Sequence, residues 1–345
     1  MQRFFKKSVK ILCIDGGGIR GYIPALVLAE VERRLRQQGN EKSLGTLFDF
    51  IAGTSTGSII TLGLTAPAEK EGDSESPRYS HKAAAFSAER LVHMYERHGL
   101  EIFPYWNLRQ LQDMRHAFTE KYDNGPFHEI LDGYFGRRKI SEALTDMLIT
   151  TYDIEQHRPL IMKKVPYKRQ LGESSDYYMA DVIKASAAAP TYFEPVRVAS
   201  VDESRQHYLV DGGVFAVNPA MCAFVEAQRI FPRARKYVIF SLGTGEYIPD
   251  WDIEKVMRWG LLEWLQPSKK VPAVTILNNG QAQAVDYHLS HMPKVEYHRI
   301  NVPLDGCSED MDDASAENMS CLAQRAEQII LEQSSSLERM VRLLK

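Results

Sequence analysis

The sequence contains no long apolar run. No stretch of 18 or more apolar residues occurs among its 345 residues, so we expect no transmembrane helix. Residues 1–10 are basic, but the apolar run behind them, Ile11–Ile14, ends at Asp15 and is too short for a secretory signal peptide. We therefore predict a cytoplasmic protein.

An excess of charge of either sign is also missing. The 42 lysines and arginines nearly balance the 45 aspartates and glutamates, which gives a formal net charge of −3. This balance argues against a protein that binds a nucleic-acid polymer through overall basicity. Apolar residues make up 44% and charged residues 25% of the chain. Both values are typical of globular domains, which excludes disorder for most of the chain.

Cysteine is scarce. Cys13, Cys222, Cys307 and Cys321 are widely separated and form neither a CxxC pair nor a Cys/His spacing typical of a metal site. We predict four buried free thiols in a reducing compartment. The acidic segment Asp305–Glu317 lacks the spacing of an EF-hand. No metal and no cofactor is therefore predicted.

What the chain does contain is an alternation of strand-like and helix-like segments, which is typical of an α/β architecture with a mostly parallel sheet. The predicted strands are Val9–Ile14, Phe48–Ala52, Leu144–Tyr152, Arg158–Lys163 and Lys236–Leu242, and the predicted helices include Ser58–Leu64, Asp181–Ala189 and Ala316–Leu344, the last weakened near residues 334–336. Pro67–Lys82 is polar and rich in Gly and Pro, which predicts an exposed loop.

No internal repeat and no linker divides the sequence. We therefore predict one domain over residues 1–345. Its motifs lie in a core of about residues 9–245, and residues 246–345 form a C-terminal accessory segment with a helical end. Asn218 and Pro219 predict the start of a helix, as N-cap and first helical residue.

A glycine-rich segment, Asp15-Gly-Gly-Gly-Ile-Arg-Gly21, follows the first predicted strand and precedes a helix. Such glycines let several backbone N–H groups point at one spot near a helix N-terminus, which suits a phosphate or a developing oxyanion. Gly16, Gly18 and Gly21 also match the dinucleotide fingerprint G-x-G-x-x-G. That interpretation needs an acidic residue at the end of a second strand about 20 residues on, and the region around Glu41 is polar and not strand-like.

Two further motifs carry groups for nucleophilic chemistry. Gly53-Thr-Ser-Thr-Gly57 is a GxSxG pentapeptide between a strand and a helix, the context in which a tight turn exposes a serine hydroxyl. Asp211-Gly212-Gly213 places a carboxylate at the end of an apolar strand-like triplet. By itself this second motif is weak, because Asp-Gly is an ordinary turn signal.

Histidine is the usual base for a serine nucleophile. The chain has ten histidines. None of them follows a predicted strand beside a turn signal, and His288, His291 and His298 cluster late in the sequence. Asp49 could rival Asp211, but it precedes its strand and should lie at the opposite edge of the sheet.

Together these motifs resemble the patatin-like phospholipase family. The resemblance runs from Ile11 to about Gly245, some two-thirds of the chain, and the motifs occur in the expected order and contexts. Accessory segments are similar too, namely Ala185–Phe193, Asn218-Pro219 and Ser241–Gly245. One departure is Val217, where relatives often have Asn.

The resemblance implies a three-layer α/β/α fold and a serine acyl hydrolase with a Ser–Asp dyad. The roles it assigns are Ser55 as nucleophile, Asp211 as the base in direct contact with it, the N–H groups of Gly16, Gly17 and Gly18 as oxyanion hole, and Gly53, Gly57 and Gly212 as supporting glycines. Arg20 is expected to fix the glycine loop, to meet a lipid phosphate, or to pair with a core carboxylate.

The implied substrate is an acyl ester of a membrane glycerophospholipid, reached by peripheral contact with the inner membrane. Residues 67–82 and the aromatic turn Glu101–Asn107 could form a lid. The basic run Lys163–Arg169 either meets anionic headgroups or is a solvated hairpin.

Bacterial proteins that this chain resembles include effectors of phage defence that a cyclic nucleotide activates. A cyclic dinucleotide is therefore one possible activator, and the segment beyond Gly245 could build its pocket or the face of a homodimer. The alternatives are an ungated housekeeping lipid acyl hydrolase and a catalytically silent module that binds lipid or nucleotide.

Overall fold

The structure is a computed structural model that describes residues 6–69, 79–103, 123–164, 175–265 and 272–345. The strands in these ranges are β1 (Ser8–Ile14), β2 (Phe50–Thr54), β3 (Pro67–Glu69), β4 (Tyr79–Ala84), β5 (Asp146–Asp153), β6 (Arg158–Lys164), β7 (Val196–Ala199), β8 (Gln206–Asp211), β9 (Lys236–Leu242) and β10 (Val295–Ile300). The helices are α1 (Tyr22–Gln37), α2 (Thr56–Thr65), α3 (Ala88–Ile102), α4 (Asn124–Phe135), α5 (Met179–Ser186), α6 (Gly213–Ala216), α7 (Ala220–Ile230), α8 (Ile253–Val256), α9 (Leu261–Trp264), α10 (Pro272–His291), α11 (Ala316–Glu332) and α12 (Ser334–Leu344). Among these helices, none has both the length and the apolar character that crossing a membrane requires.

An eight-stranded sheet forms the centre of the molecule, in the order β10-β9-β1-β2-β5-β8-β7, with β6 also paired to β5. The five strands from β10 to β5 run parallel, whereas β6, β7 and β8 pair antiparallel. Parallel neighbours need long crossover connections, which here carry helices. The prediction of an α/β fold with a mostly parallel sheet is confirmed.

Helices cover both faces of this sheet. Along β1 the side chains alternate, so that Val9, Ile11 and Cys13 join one buried cluster and Leu12 and Ile14 join the other. The first cluster packs under α7, and the second packs under a layer that includes α1, α2 and α5. Because the middle strands are buried on both faces, they are continuous apolar runs in the sequence. The result is a three-layer α/β/α arrangement.

Strand β5 is the junction that positions the site. Its residue Thr150 pairs with Thr54, the last residue of β2, and the next residue, Thr151, pairs with Asp211, the last residue of β8. β2 runs parallel to β5 and β8 runs antiparallel to it. The two strands therefore end facing one another along the same side of β5, which brings the chain after Thr54 next to Asp211.

Two local predictions differ from the structure. Pro67–Lys82 was expected to be an exposed loop, but its flanks belong to β3 and β4, which pair with each other, and residues 70–78 lie outside the described ranges. The helix expected to begin at Pro219 begins at Ala220, so Pro219 and not Asn218 is its N-cap residue, while the Asn218 side chain accepts the Ala220 N–H at 3.0 Å. The C-terminal helix is a pair, α11 and α12, separated at Gln333.

The cysteine prediction is wrong for two of the four residues. Cys307 and Cys321 form a disulfide, with their Cα atoms 5.4 Å apart, whereas Cys13 and Cys222 are free. The acidic segment folds back on the start of α11, where Asn318 accepts the N–H of Ser308 at 2.9 Å and donates to the carbonyl of Asp313 at 2.7 Å. This fold-back brings together two cysteines whose spacing in the sequence gave no sign of pairing.

Candidate active site

Ser55 occupies a sharp turn between β2 and α2. Its φ of 54° and ψ of −124° are rare for a residue with a side chain, and such strain concentrates at functional sites. The Ser55 N–H donates to the Ser186 hydroxyl at 2.9 Å, and that hydroxyl donates to the carbonyl of Thr150 at 2.8 Å. Since α2 is buried along its whole length, the turn is fixed on both sides and the serine faces a cavity.

The supporting glycines stand where backbone segments touch. A Cβ on Gly57 would lie 2.2 Å from the carbonyl oxygen of Ile14, and one on Gly53 would lie 2.2 Å from that of Gly57. At Gly212 the nearest atom would be the hydroxyl oxygen of Thr150, also at 2.2 Å. No side chain fits at these distances. The three glycines let β1, β2 and the segment after β8 converge on Ser55.

Asp211 meets Ser55 directly. The Ser55 side chain interacts with the Asp211 carboxylate and favours its ionised form, and the carboxylate accepts the N–H of Gly213 at 2.7 Å. Burial raises the pKa of Asp211 to about 6, although the hydrogen bonds from Ser55 and Gly213 oppose this rise. The Asp211 N–H donates to the carbonyl of Ala188 at 2.9 Å. The last residue of α5 and the segment that follows it therefore hold the two members of the pair.

Histidine takes no part in this contact. In the described ranges, no histidine lines the cavity that contains Ser55. His207, on β8, bonds instead to Asp153 at 3.0 Å and to Tyr177 at 3.0 Å. Asp49 lies at the other end of β2, where it accepts the N–H of Lys10 at 2.9 Å.

The glycine loop lies against the serine, because a Cβ on Gly16 would be 3.2 Å from that of Ser55. The prediction of three N–H donors needs a correction here. Gly16 donates its N–H to the carbonyl of Val217 at 3.0 Å, so this group anchors the loop and is not free to bind an oxyanion. The N–H groups of Gly17 and Gly18 donate to no atom of the described chain. Two candidate donors remain.

Arg20 supports the loop from behind. Its Nε donates to the carbonyl of Gly17 at 3.2 Å. Burial lowers the pKa of Arg20, and Tyr192, Asp310 and Glu309 oppose this shift. Of the three roles expected for Arg20, these contacts favour fixing the glycine loop.

An ion pair under the loop was not found by sequence reasoning. Arg299 donates through Nη2 to Asp15 at 2.7 Å and through Nη1 to the Ser241 hydroxyl at 3.0 Å, and its Nε lies 3.5 Å from Asp286. Burial raises the pKa of Asp15 to about 6 while Arg299 acts against this shift. Asp15 and Arg299 are 284 residues apart and Arg299 lies on β10, a strand that no pattern in the sequence predicted.

Ser55 and Asp211 share the wall of a cavity of about 980 Å³. One part of its lining is apolar and includes Ile59, Met94, Ile102, Phe103, Phe127 and Phe193. Another part is polar and includes Asp15, Gln281, Asp286, Arg299 and Asn301. A long apolar chain and a polar group attached to it would both find matching surface here. Of the aromatic turn only Glu101, Ile102 and Phe103 can be placed, because residues 104–107 are outside the described ranges, as are residues 165–169 of the basic run.

Comparisons with known proteins agree with this arrangement. Residues 12–224 match the family described as patatin-like phospholipase. Similar proteins include patatin-like protein 2 of Arabidopsis thaliana, 32% identical over 93% of this chain and 83% of that protein. Two proteins of Solanum tuberosum, patatin-04/09 and probable inactive patatin-3-Kuras 1, are each 29% identical over 94% of this chain, covering 84% and 87% of their own lengths.

Among solved structures, human GIVD cytosolic phospholipase A2 aligns with a TM-score of 0.42 and 12% identity, over 99% of this chain and 60% of that one. VipD from Legionella pneumophila aligns with a TM-score of 0.32 and 12% identity, over 94% of this chain and 67% of that one. The family match covers more than half of the chain and includes the glycine loop, Ser55 and Asp211. The chain belongs to the patatin-like phospholipase family.

Proposed function

We propose that the chain is a serine lipid acyl hydrolase of the phospholipase A type that works through a Ser55–Asp211 dyad. The observation that carries the proposal is that Ser55 and the buried carboxylate of Asp211 stand together in the wall of one cavity, where the Ser55 side chain favours the ionised form of Asp211. The serine sits on a strained turn beside a glycine loop and faces a cavity with an apolar lobe. A nucleophile, a base and oxyanion donors are the three parts that ester hydrolysis needs.

The reaction follows from these positions. Ser55 Oγ attacks the ester carbonyl carbon while its proton moves to Asp211, and the negative oxygen of the tetrahedral intermediate accepts the N–H groups of Gly17 and Gly18. The intermediate collapses, the C–O bond to the alcohol breaks, and Asp211 returns the proton to the leaving oxygen. Water then attacks the acyl-serine with Asp211 again as base, which releases the fatty acid. A carboxyl group with a pKa of about 6 serves as base and acid at neutral pH.

The cavity supports a lipid as substrate. Its apolar lobe suits an acyl chain, and its polar lobe suits the remainder of a glycerophospholipid. Contact with a membrane surface follows from such a substrate. Activation by a cyclic dinucleotide, a role in antiviral defence and a homodimer remain predictions, since no described residue bears on them.

A catalytically silent binding module is the competing function. Family membership does not decide between the two, because one of the similar potato proteins is described as probably inactive. What favours catalysis is that serine and aspartate are both present and are in contact with each other.

The test is hydrolysis of a fluorogenic phospholipid by the purified chain, with and without a panel of cyclic di- and trinucleotides. Ser55→Ala and Asp211→Ala should each lower kcat by about 10⁴-fold or more. The exposed Ser335→Ala and Asp305→Asn serve as matched controls that keep full activity. If Ser55→Ala retains the wild-type rate, the dyad is wrong. If the wild-type chain cleaves no ester under any condition, the binding module is favoured.

A further inference from the structure

Large apolar side chains are exposed mainly in one part of the described chain. Nine of its sixteen exposed large hydrophobic side chains lie between residues 248 and 277, where residues 248–265 and 272–277 are described. They are Ile248, Ile253, Met257, Leu261, Leu262, Leu265, Val274, Ile276 and Leu277. Met257 is 82% and Leu262 is 83% exposed. Such a concentration of exposed apolar side chains marks an interaction site, which we call the 248–277 surface.

Three tryptophans support this surface. The rings of Trp251, Trp259 and Trp264 pack edge to face, with centroids 5.1–6.3 Å apart, and all three side chains are half-buried. They form a packed cluster within the segment that carries α8 and α9, where Met257, Leu261 and Leu262 are exposed. Tryptophan is enriched where proteins meet the boundary between the lipid and water.

The 248–277 surface borders the opening of the catalytic cavity. Val274 and Leu277 are 49% and 62% exposed, and both line the cavity that contains Ser55. Helix α9 contacts α10, and Asn279 of α10 donates to the carbonyl of Tyr247 at 3.0 Å. The apolar surface and the rim of the cavity are therefore continuous.

We propose that the 248–277 surface docks on a phospholipid bilayer and presents the cavity to the lipids beneath it. The inference rests on the proposed lipid acyl hydrolase function. A bilayer seated on this surface supplies the ester at the opening. A second copy of the chain seated there would cover the route by which the ester enters.

The charges of this surface identify the type of bilayer. Residues 248–277 contain four acidic residues and four basic ones, so this stretch of the sequence is neutral overall, and Lys255 is paired with Asp252 at 2.9 Å. Attraction to anionic headgroups is therefore not the driving force. The driving force for docking is instead the insertion of apolar side chains into the headgroup region. It suits zwitterionic lipid and depends little on salt.

Vesicle binding by the Ser55→Ala protein tests this without breaking down the vesicles. The protein should float with phosphatidylcholine vesicles equally at about 0.1 M and about 1 M NaCl. Its tryptophan emission should shift to the blue, because three of the four tryptophans lie here; Trp106→Phe removes the fourth. The double variant Leu261→Glu/Leu262→Glu should lose vesicle affinity by about a hundredfold together with the blue shift.

Leu331→Glu is the matched control, since Leu331 is 76% exposed on α11 and lines no part of the cavity. It should bind vesicles as the parent does. Met257→Glu gives a second, independent change on the 248–277 surface, and unfolding midpoints check that each variant is folded.

The proposal is overturned if the Ser55→Ala protein does not bind vesicles, or if the double variant and Leu331→Glu bind equally well. It is also overturned if the double variant turns a dimer into a monomer in sedimentation and leaves vesicle binding unchanged. Hydrolysis of a short soluble ester without vesicle binding would leave the proposed function standing and remove the docking surface. Vesicle binding without hydrolysis of any ester would leave the docking surface standing and remove the proposed function.

Discussion

At the residue scale, the environment of Asp211 suits the role of base that we propose for it in place of a histidine. An ordinary aspartate is a weak base at neutral pH because its pKa is about 4. Burial beside Ser55 raises the pKa of Asp211 to about 6, close to that of an imidazole. Ser55 and the Gly213 N–H act against this rise, because both stabilise the ionised form of the Asp211 carboxyl group. A single carboxylate can thus take and return the proton of the serine.

The pH profile follows from this pKa. Asp211 accepts a proton only when it is ionised, so kcat/KM should be constant above pH 7 and fall as the pH drops through about 6. Asp15 also has a pKa of about 6. A plot of log(kcat/KM) against pH that reaches a slope of one on the acid side indicates control by Asp211 alone. A slope near two indicates that protonation of Asp15 inactivates the loop as well. A profile that stays flat down to about pH 4 contradicts the raised pKa.

We expect Ser186 to be a positioning residue for Ser55, the proposed nucleophile. Ser186→Ala leaves the buried N–H of Ser55 without its acceptor, which costs about 1–3 kcal/mol in stability. We also expect kcat to fall by about tenfold or more with KM nearly unchanged, because the strained turn relaxes. Ser200→Ala is the matched control, since it removes another buried hydroxyl whose contacts lie away from the cavity. Equal kcat values for the two variants would contradict this role.

At the scale of the elements, the glycine loop is a segment held from three sides. Val217, which follows α6, accepts the N–H of Gly16. Thr244, which follows β9, donates its hydroxyl to the carbonyl of Gly16 at 2.8 Å. Met311, in the acidic loop, accepts the N–H of Ile19 at 2.8 Å. The loop is therefore preorganised by parts of the chain that lie 200 residues or more downstream.

Arg299 connects two strands of the sheet with this loop. It pairs in register with Ser241 of β9, which in turn pairs with Cys13 of β1, and its guanidinium reaches Asp15 at the end of β1. Arg299→Met should therefore lower the free energy of unfolding by about 3 kcal/mol. This is the lower end of the range for a broken buried pair, since the Arg299 side chain is still 20% exposed.

The double variant Asp15→Asn/Arg299→Met provides the control for that change. With the uncompensated carboxylate removed, it should be less destabilised than the sum of the single variants. Urea unfolding of all four proteins measures this coupling. Strict additivity would show that the pair contributes nothing.

At the scale of the whole molecule, the C-terminal hundred residues complete the sheet and the site. Strand β10 extends the sheet beyond β9, α10 supplies part of the cavity lining, and α11 and α12 pack on α1. Leu322, Leu337 and Met340 are fully buried in that contact. These residues belong to the same buried cluster as the motif-bearing core.

The disulfide between Cys307 and Cys321 closes a loop within this C-terminal region. Reduction should lower the free energy of unfolding by about 3 kcal/mol, because the open chain gains conformational entropy. Urea unfolding with and without a thiol reductant measures the effect. Cys307→Ser/Cys321→Ser should show the lower stability in both conditions, and Cys222→Ser should behave as the wild type. A reductant effect that persists in the double variant would contradict this assignment.

The local motifs could be predicted from the sequence, and the contacts between distant segments could not. Ser55 and the glycine loop lie in turns that neighbouring glycines make possible, so a pattern of a few letters predicts them, although the contacts that hold these turns come from distant segments. Gly16 was misjudged because the partner of its N–H, Val217, lies 201 residues away. Arg299 lies on a strand in which polar and charged residues alternate with apolar ones near a sheet edge, which hides it from a search for buried strands.

The 248–277 surface is another feature that could not be predicted from the sequence. Apolar residues in that segment are as consistent with a core as with an exposed surface, and only the packing of α8, α9 and α10 shows that their side chains face outward. The aromatic turn, which could form part of a lid, and the basic run, for which contact with anionic headgroups is one of two interpretations, lie largely outside the described residues. No pattern distinguished them from the 248–277 surface.

The long separation between the partners of the site has a consequence for synthesis on the ribosome. Ser55 and the glycine loop leave the ribosome early, but Asp211 follows 156 residues after Ser55, and the arginine that neutralises Asp15 comes 284 residues after that aspartate. A nascent chain therefore has neither Asp211 beside Ser55 nor Arg299 beside Asp15 until most of it has been translated. The hydrolase that we propose would in this way be inert while it is being made.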